Sequence, residues 1–130
     1  MKNVAYSTAV DFLLKQIPEL RHKYENEVNY WSPEQPPSHV VYGDLFCKFV
    51  RDARSSLTER NKQEVVSLLT RCFQLIEELA RSKDFETQCI VKATVLESLL
   101  GDSDIDWQSF SPYFGVATRK MAQDLINEWS

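Results

Sequence analysis

Apolar residues along this chain recur at three- and four-residue steps, the spacing that lines one face of an α-helix, and almost nowhere at the alternating step of a strand. Between Gly43 and Gly101 there is neither glycine nor proline, so more than two-fifths of the chain lacks the residues that most readily break a helix. Thr8 with Asp11 resembles a capping box, and Ala9, Phe12, Leu13 and Ile17 follow on one face. Pro18 interrupts that run and can open a second helix, in which Leu20, Tyr24 and Val28 stand four apart and which should end near Tyr30. From Trp31 to Ser38, three prolines in eight residues predict the longest loop.

The third helix should start between Ser38 and Gly43 and turn Leu45, Phe46, Phe49, Val50 and Ala53 inward. Ser56 with Glu59, or Asn61 with Glu64, can cap the fourth, whose core stripe is Val65, Leu68, Leu69, Cys72, Phe73, Ile76 and Leu79. Asp84 is the expected cap of the fifth helix, with Phe85, Cys89, Ile90, Ala93, Leu96 and Leu100 as its buried face and Gly101 as its left-handed C-terminal cap. A short acidic loop and the turn opened by Ser111-Pro112 lead to a last helix with Met121, Ala122, Leu125, Ile126 and Trp129 on its apolar face. Val40-Val41-Tyr42 is too short to count as a strand. The pattern predicts an all-α fold: one domain over residues 1–130, an irregular bundle of six to seven helices.

Composition narrows the function more than the fold. The hydrophobic fraction of 43% and charged fraction of 26% are ordinary for a globular domain and exclude disorder. A net charge of −4 disfavours nucleic acid as a ligand, because phosphate binding needs clustered Lys and Arg. The closest approach to such a cluster, Lys48, Arg51, Arg54, Arg60 and Lys62, is interrupted by Asp52 and Glu59 and reads as a mixed solvated face. Mild acidity suits a basic partner instead. No segment has the length to span a bilayer, and Met1 to Tyr6 lack the apolar run of a signal peptide. Cys47, Cys72 and Cys89 are odd in number and contain no C-x-x-C pair, and Cys72 and Cys89, which sit within apolar helical runs, read as reduced core residues. Together these predict a cytoplasmic protein with no membrane partner; its oligomeric state stays open.

Residues that could do chemistry are sparse. Asp102, Ser103, Asp104 and Asp106 begin like a calcium loop, but Trp107 stands where the turn needs glycine and Tyr113 where a bidentate glutamate belongs. Glu19 and His22 have the Glu-x-x-His spacing of di-iron bundles without the second copy such sites require. Cys47 with His39 or His22 has no thiolate-stabilising turn, and no serine sits in a nucleophile frame. Glu97, inside the apolar run Val95 to Leu100, either points outward or is buried against Arg119 or Arg71. No cofactor or metal is expected, and no catalytic residue is assigned.

The aromatic residues say more. Tyr24, Tyr30 and Trp31 lead into the proline loop among Glu25, Glu27 and Glu34, while Trp107, Phe110, Tyr113 and Phe114 follow three aspartates. Aromatic anchors ringed by charge are what protein interfaces favour; the alternative is that these rings close the ends of the helical core.

The chain resembles small all-helical bacterial immunity proteins of contact-dependent growth inhibition and related toxin systems. The resemblance rests on length and element order, on His39-Val40-Val41-Tyr42-Gly43-Asp44-Leu45-Phe46, on Val95-Leu96-Glu97-Ser98-Leu99-Leu100, and on Phe114-Gly115 ahead of Arg119. It implies a cytosolic protein that binds a cognate toxin domain, often a nuclease, and blocks its active site or substrate access. On that expectation Glu25, Glu27, Asp102, Asp104 and Asp106 would pair with toxin Lys and Arg, and Trp31 and Trp107 would be anchors; these positions come from composition and placement, not from a family motif. The alternatives are a helical adaptor without a toxin partner, and an enzyme using Glu97 or the aspartate loop. A toxin-like reading frame directly upstream would separate the first from the second, and stoichiometric metal would mark the third.

Overall fold

The computed structural model describes residues 4–101 and 104–129, without the side chains of 104–106. Among the described residues the chain forms seven helices and no strand, as the spacing predicts. They are α1 (Ala9–Gln16), α2 (Arg21–Trp31), α3 (residues 38–55), α4 (Lys62–Ala80), α5 (residues 85–100), α6 (Asp104–Phe110) and α7 (Val116–Trp129). Single 3-10 turns at Tyr6–Thr8, Pro18–Leu20 and Ser111–Tyr113 lead into α1, α2 and the approach to α7. Prolines at the start of the second and third turns use a position whose missing N–H costs nothing.

Helix α4 is the axis of the fold. Val65, Leu69, Cys72, Phe73, Leu75, Ile76, Leu79 and Ala80 are buried on it, and α1, the second half of α3, α5 and α7 pack around it. The predicted stripe therefore holds, with Leu68 only half-buried and Leu75 and Ala80 added. By contrast α2 contributes no fully buried side chain and lies on the outside through half-buried Tyr24 and Val28.

Two helices depart from the expected phase. Within α3, Val41–Phe46 is π-helical, and so is Ile90–Leu96 within α5. A step of four residues overshoots an α-helical turn by about 40°, so a long run of such steps leaves the face it started on. The wider π turn absorbs that overshoot. In α5 the buried residues Thr87, Val91, Val95 and Leu99 are four apart, and in α3 so are Tyr42, Phe46 and Val50. Phe85, predicted inside, is 75% exposed, Ala93 is exposed and Cys89 is half-buried, because a 3.6-residue period misplaces them. Leu45, Phe49 and Ala53 are half-buried for the same reason. The two π segments pack on each other, where His39 Nδ1 and Thr94 Oγ1 share a 2.6 Å hydrogen bond.

The helix ends test the capping expectations individually. Asp84 accepts from the Glu86 N–H and the Thr87 hydroxyl (2.9 Å), as predicted, and also from the Tyr6 N–H at 2.7 Å, which fastens the start of the chain to α5. Thr8 precedes α1 but caps nothing; its hydroxyl donates backward to the Ala5 carbonyl. Asn61, rather than Ser56, precedes α4, yet its side chain also faces backward, accepting from the Thr58 N–H at 2.7 Å and donating to the Ser56 carbonyl at 2.8 Å. Gly101 ends α5 with φ of 43°, a region where a side chain would be strained.

Candidate functional site

The first surface to consider is the outer edge of α2 and the loop after it. Residues 24–37 hold Glu25, Glu27 and Glu34 and no Lys or Arg, so the second half of α2 and its loop carry three negative charges, while Arg21 and Lys23 stand in the first turn of the same helix. Trp31, at the end of α2, is half-buried and donates its indole N–H to Glu27 Oε2 at 3.0 Å. Tyr30 beside it is 83% exposed, and Glu25 is exposed on the same helix. Tyr30, Trp31, Ser32, Pro33 and Glu34 line a shallow depression of about 650 Å³. The loop's three prolines fix their own φ angles, so this edge is stiffer than a loop of ordinary composition. Of the residues predicted from sequence, Glu25, Glu27 and Trp31 thus share one element, and two of them are hydrogen-bonded.

The other predicted group lies apart in character. Asp102 is outside the described residues, and Asp104 and Asp106 lie in the first turn of α6 with their side chains outside them. Trp107 is half-buried and packs edge-on against Phe114, with ring centroids 5.7 Å apart. Phe114 in turn packs on Phe73 of α4, as do Phe110 and Tyr113; the Tyr113 ring is nearly parallel to Phe73 at 5.8 Å. Aromatic pairs at these separations add about 0.5–1.5 kcal/mol each beyond burial. Trp107 therefore belongs to a ring cluster that closes α4 against α6 and the turn after it.

A groove of about 770 Å³ opens beside that cluster, between α1, α4 and residues 112–115. Phe12, Phe73, Tyr113 and Phe114 give it aromatic walls, and Arg71, Glu77 and Glu78 are its charged groups. Arg71 is committed: its two terminal nitrogens grip the Glu19 carboxylate, one contact being 3.2 Å, and it reaches the Gln16 carbonyl at 3.4 Å. The guanidinium holds the Glu19 carboxyl below the usual carboxylate range.

Glu77, which the sequence pattern does not single out, is as well connected as Asp84, with three hydrogen bonds. It accepts from the Ala117 N–H at 3.0 Å, the Thr118 N–H at 2.9 Å and the Thr118 hydroxyl at 2.9 Å, and so caps α7 from another helix. Gly115 permits this: a Cβ there would lie 2.5 Å from the Glu77 carboxylate. Nothing local in Ile76-Glu77-Glu78-Leu79 distinguishes such a carboxylate from a solvated one.

The chemical candidates end as side chains of ordinary type. Glu97 is exposed, the outward of its two readings; His22 is exposed, and Glu19 is engaged by Arg71. Burial pushes the Cys47 thiol up to about 11 and the Cys72 thiol up to about 12, which suits inert core thiols. Among the described residues no group of three or more His, Cys, Asp or Glu side chains is placed to hold a metal ion, and no helix is long and apolar enough to cross a membrane.

Fold and surface together define an all-helical module with an acidic aromatic edge and an aromatic groove. The chain belongs to the family described as a domain of unknown function (DUF7674), whose model matches residues 10–130. No curated protein and no solved structure gives a significant match.

Proposed function

We propose that this chain is a protein-binding module of the immunity type: in the cytoplasm it covers the active site or substrate path of a cognate, basic toxin domain. The observation that carries this is the edge formed by the end of α2 and its loop, where Glu25, Glu27 and Glu34 stand in sequence around an 83% exposed tyrosine. A nuclease toxin presents Lys and Arg to its phosphate substrate, so an inhibitor gains by offering carboxylates in their place. Glu25, Glu27 and Glu34 supply the charge that steers encounter, and Tyr30 with Trp31 supplies the apolar contact that slows release. The Trp31–Glu27 hydrogen bond orients both side chains before a partner arrives, which lowers the ordering cost of binding. The acidic residues that open α6, with Trp107 behind them, are a second region this model assigns to the partner.

Co-expression with the C-terminal domain encoded directly upstream tests the reading. Rescue of growth and co-purification are the expected result; toxicity without rescue, or no complex, sinks it. Within a complex, Glu25→Lys with Glu27→Lys should slow association about tenfold or more at low salt and flatten its salt dependence. Tyr30→Ala should act mainly on dissociation. If both leave affinity unchanged, the α2 edge is not the interface.

A further inference from the structure

The groove between α1, α4 and residues 112–115 has a composition that selects one kind of guest. Its walls are the rings of Phe12, Tyr113 and Phe114 above a floor containing Phe73. Arg71, the cation that lines it, is consumed by Glu19. Two carboxylates line it as well. Glu77 is spent on the start of α7, while Glu78 is half-buried with no ion pair or hydrogen bond to the described residues. Aromatic faces beside an uncommitted carboxylate suit a long side chain with a cationic head: the stem lies on the rings, and the head meets both the π faces and the carboxylate. Arg is favoured over Lys for a stacked position, since a planar guanidinium loses less hydration on an aromatic face. The fold already contains one such pairing, with the Arg119 guanidinium 5.9 Å from the Phe114 ring centre. At about 770 Å³ the groove takes a side chain together with its flanking backbone.

We infer that this groove is a socket for an arginine side chain projecting from a basic protein partner, with Glu78 as its charge partner and Phe12 and Tyr113 as its walls. The inference rests on the basic-partner reading above, and it places a contact on residues other than those of the α2 edge. Glu78 is then a specificity determinant: it separates a cationic guest from an apolar one of the same size.

The test uses the isolated full chain and the tripeptide acetyl-Gly-Arg-Gly-amide, compared with the same peptide carrying citrulline, the uncharged isostere. Aromatic and indole resonances are followed by NMR, with Trp107 as a built-in reporter because it packs on Phe114. Saturable millimolar binding of the arginine peptide is expected, shifting Tyr113 and Trp107 and weakened about fivefold or more by citrulline or by Glu78→Gln. Phe12→Leu should weaken it as well, while Glu59→Gln, an exposed position outside both surfaces, should leave it unchanged; loss of binding with Glu25→Gln and Glu27→Gln instead would move the peptide to the α2 edge. Equal binding of both peptides marks an apolar ligand site and overturns the proposal. So does absence of binding, or loss of binding only with the α2 variants; that last outcome leaves the basic-partner reading intact, since its own test is rescue by co-expression.

Discussion

Replacing Gly115 by alanine isolates the contact on which the start of α7 depends. The new Cβ would stand 2.5 Å from both Cδ and Oε1 of Glu77 and 2.7 Å from its Cγ, distances that cannot persist. A free glutamate would swing away at little cost. This one is held by three hydrogen bonds of 2.9–3.0 Å, so moving it strips the cap from the Ala117 and Thr118 N–H groups. Loss of a cap costs about 0.5–2 kcal/mol, and a buried unpaired N–H about 1–3 kcal/mol; Thr118 is fully buried, whereas water can reach half-buried Ala117. A loss of about 2 kcal/mol is a fair total, offset by about 0.5 kcal/mol because alanine restricts the unfolded chain. Gly115 is not among the positive-φ residues, so no backbone strain adds to this. The net destabilisation is about 1.5 kcal/mol. With unfolding entropy near 2.1 cal/mol/K per residue over 130 residues, Tm should fall by about 5 °C. Urea and thermal unfolding followed by circular dichroism measure both. The decisive comparison is the same substitution in a Glu77→Ala background, where the clash is gone and Gly115→Ala should become neutral or stabilising by up to about 0.5–1 kcal/mol. Equal destabilisation in both backgrounds, or none in the parent, refutes the reasoning.

Two further outcomes follow from buried or shared hydrogen bonds. Tyr42 is fully buried and donates its hydroxyl to the Ala9 carbonyl at 2.7 Å, so Tyr42→Phe should cost about 1–2 kcal/mol of unfolding free energy with no change in helical content; a loss under about 0.3 kcal/mol would show the bond to be worth nothing net. The Asp84 carboxyl is held below its ordinary range, first by the Tyr6 N–H and then by the Thr87 hydroxyl. Its stabilising contribution is thus complete above the unfolded carboxyl value near ~3.9 and disappears as pH falls through the lower folded value. Asp84→Asn should flatten the acid limb of the stability–pH curve and leave its slope above pH ~5 untouched, which denaturant titrations at several pH values will read directly.

Much of this architecture is legible in the residue pattern. The α4 stripe, the proline loop, the Asp84 cap and the Gly101 stop all express local rules, since each signal lies within a few residues of its effect. The errors have a different source. A 3.6-residue turn puts Phe85 and Ala93 inside, and nothing in a single sequence announces a π segment except the four-residue steps it makes possible. Thr8 and Asn61 occupy capping positions but spend their side chains on the turn before, which capping statistics do not distinguish. In the candidate site, Glu25, Glu27 and Trp31 were reached because charge and aromatic residues are adjacent in sequence. Glu77, Glu78 and the groove were missed because their partners, Phe12 and residues 112–118, are far away along the chain and meet α4 only in the folded state.

The paired π segments also govern how this chain can be compared with another. An insertion or deletion of one residue inside 41–46 or 90–96 does not lengthen a loop; it rotates everything downstream in that helix by about 100° relative to the rest. A gap placed there in an alignment is consequently a statement about helix phase, to be judged by whether Tyr42, Phe46 and Val50, or Thr87, Val91, Val95 and Leu99, still fall in step. A homologue that has lost one residue from either stretch should show a compensating shift in which side chains are apolar beyond it, and that reversal of pattern is how such a homologue would be told from an unrelated helical protein.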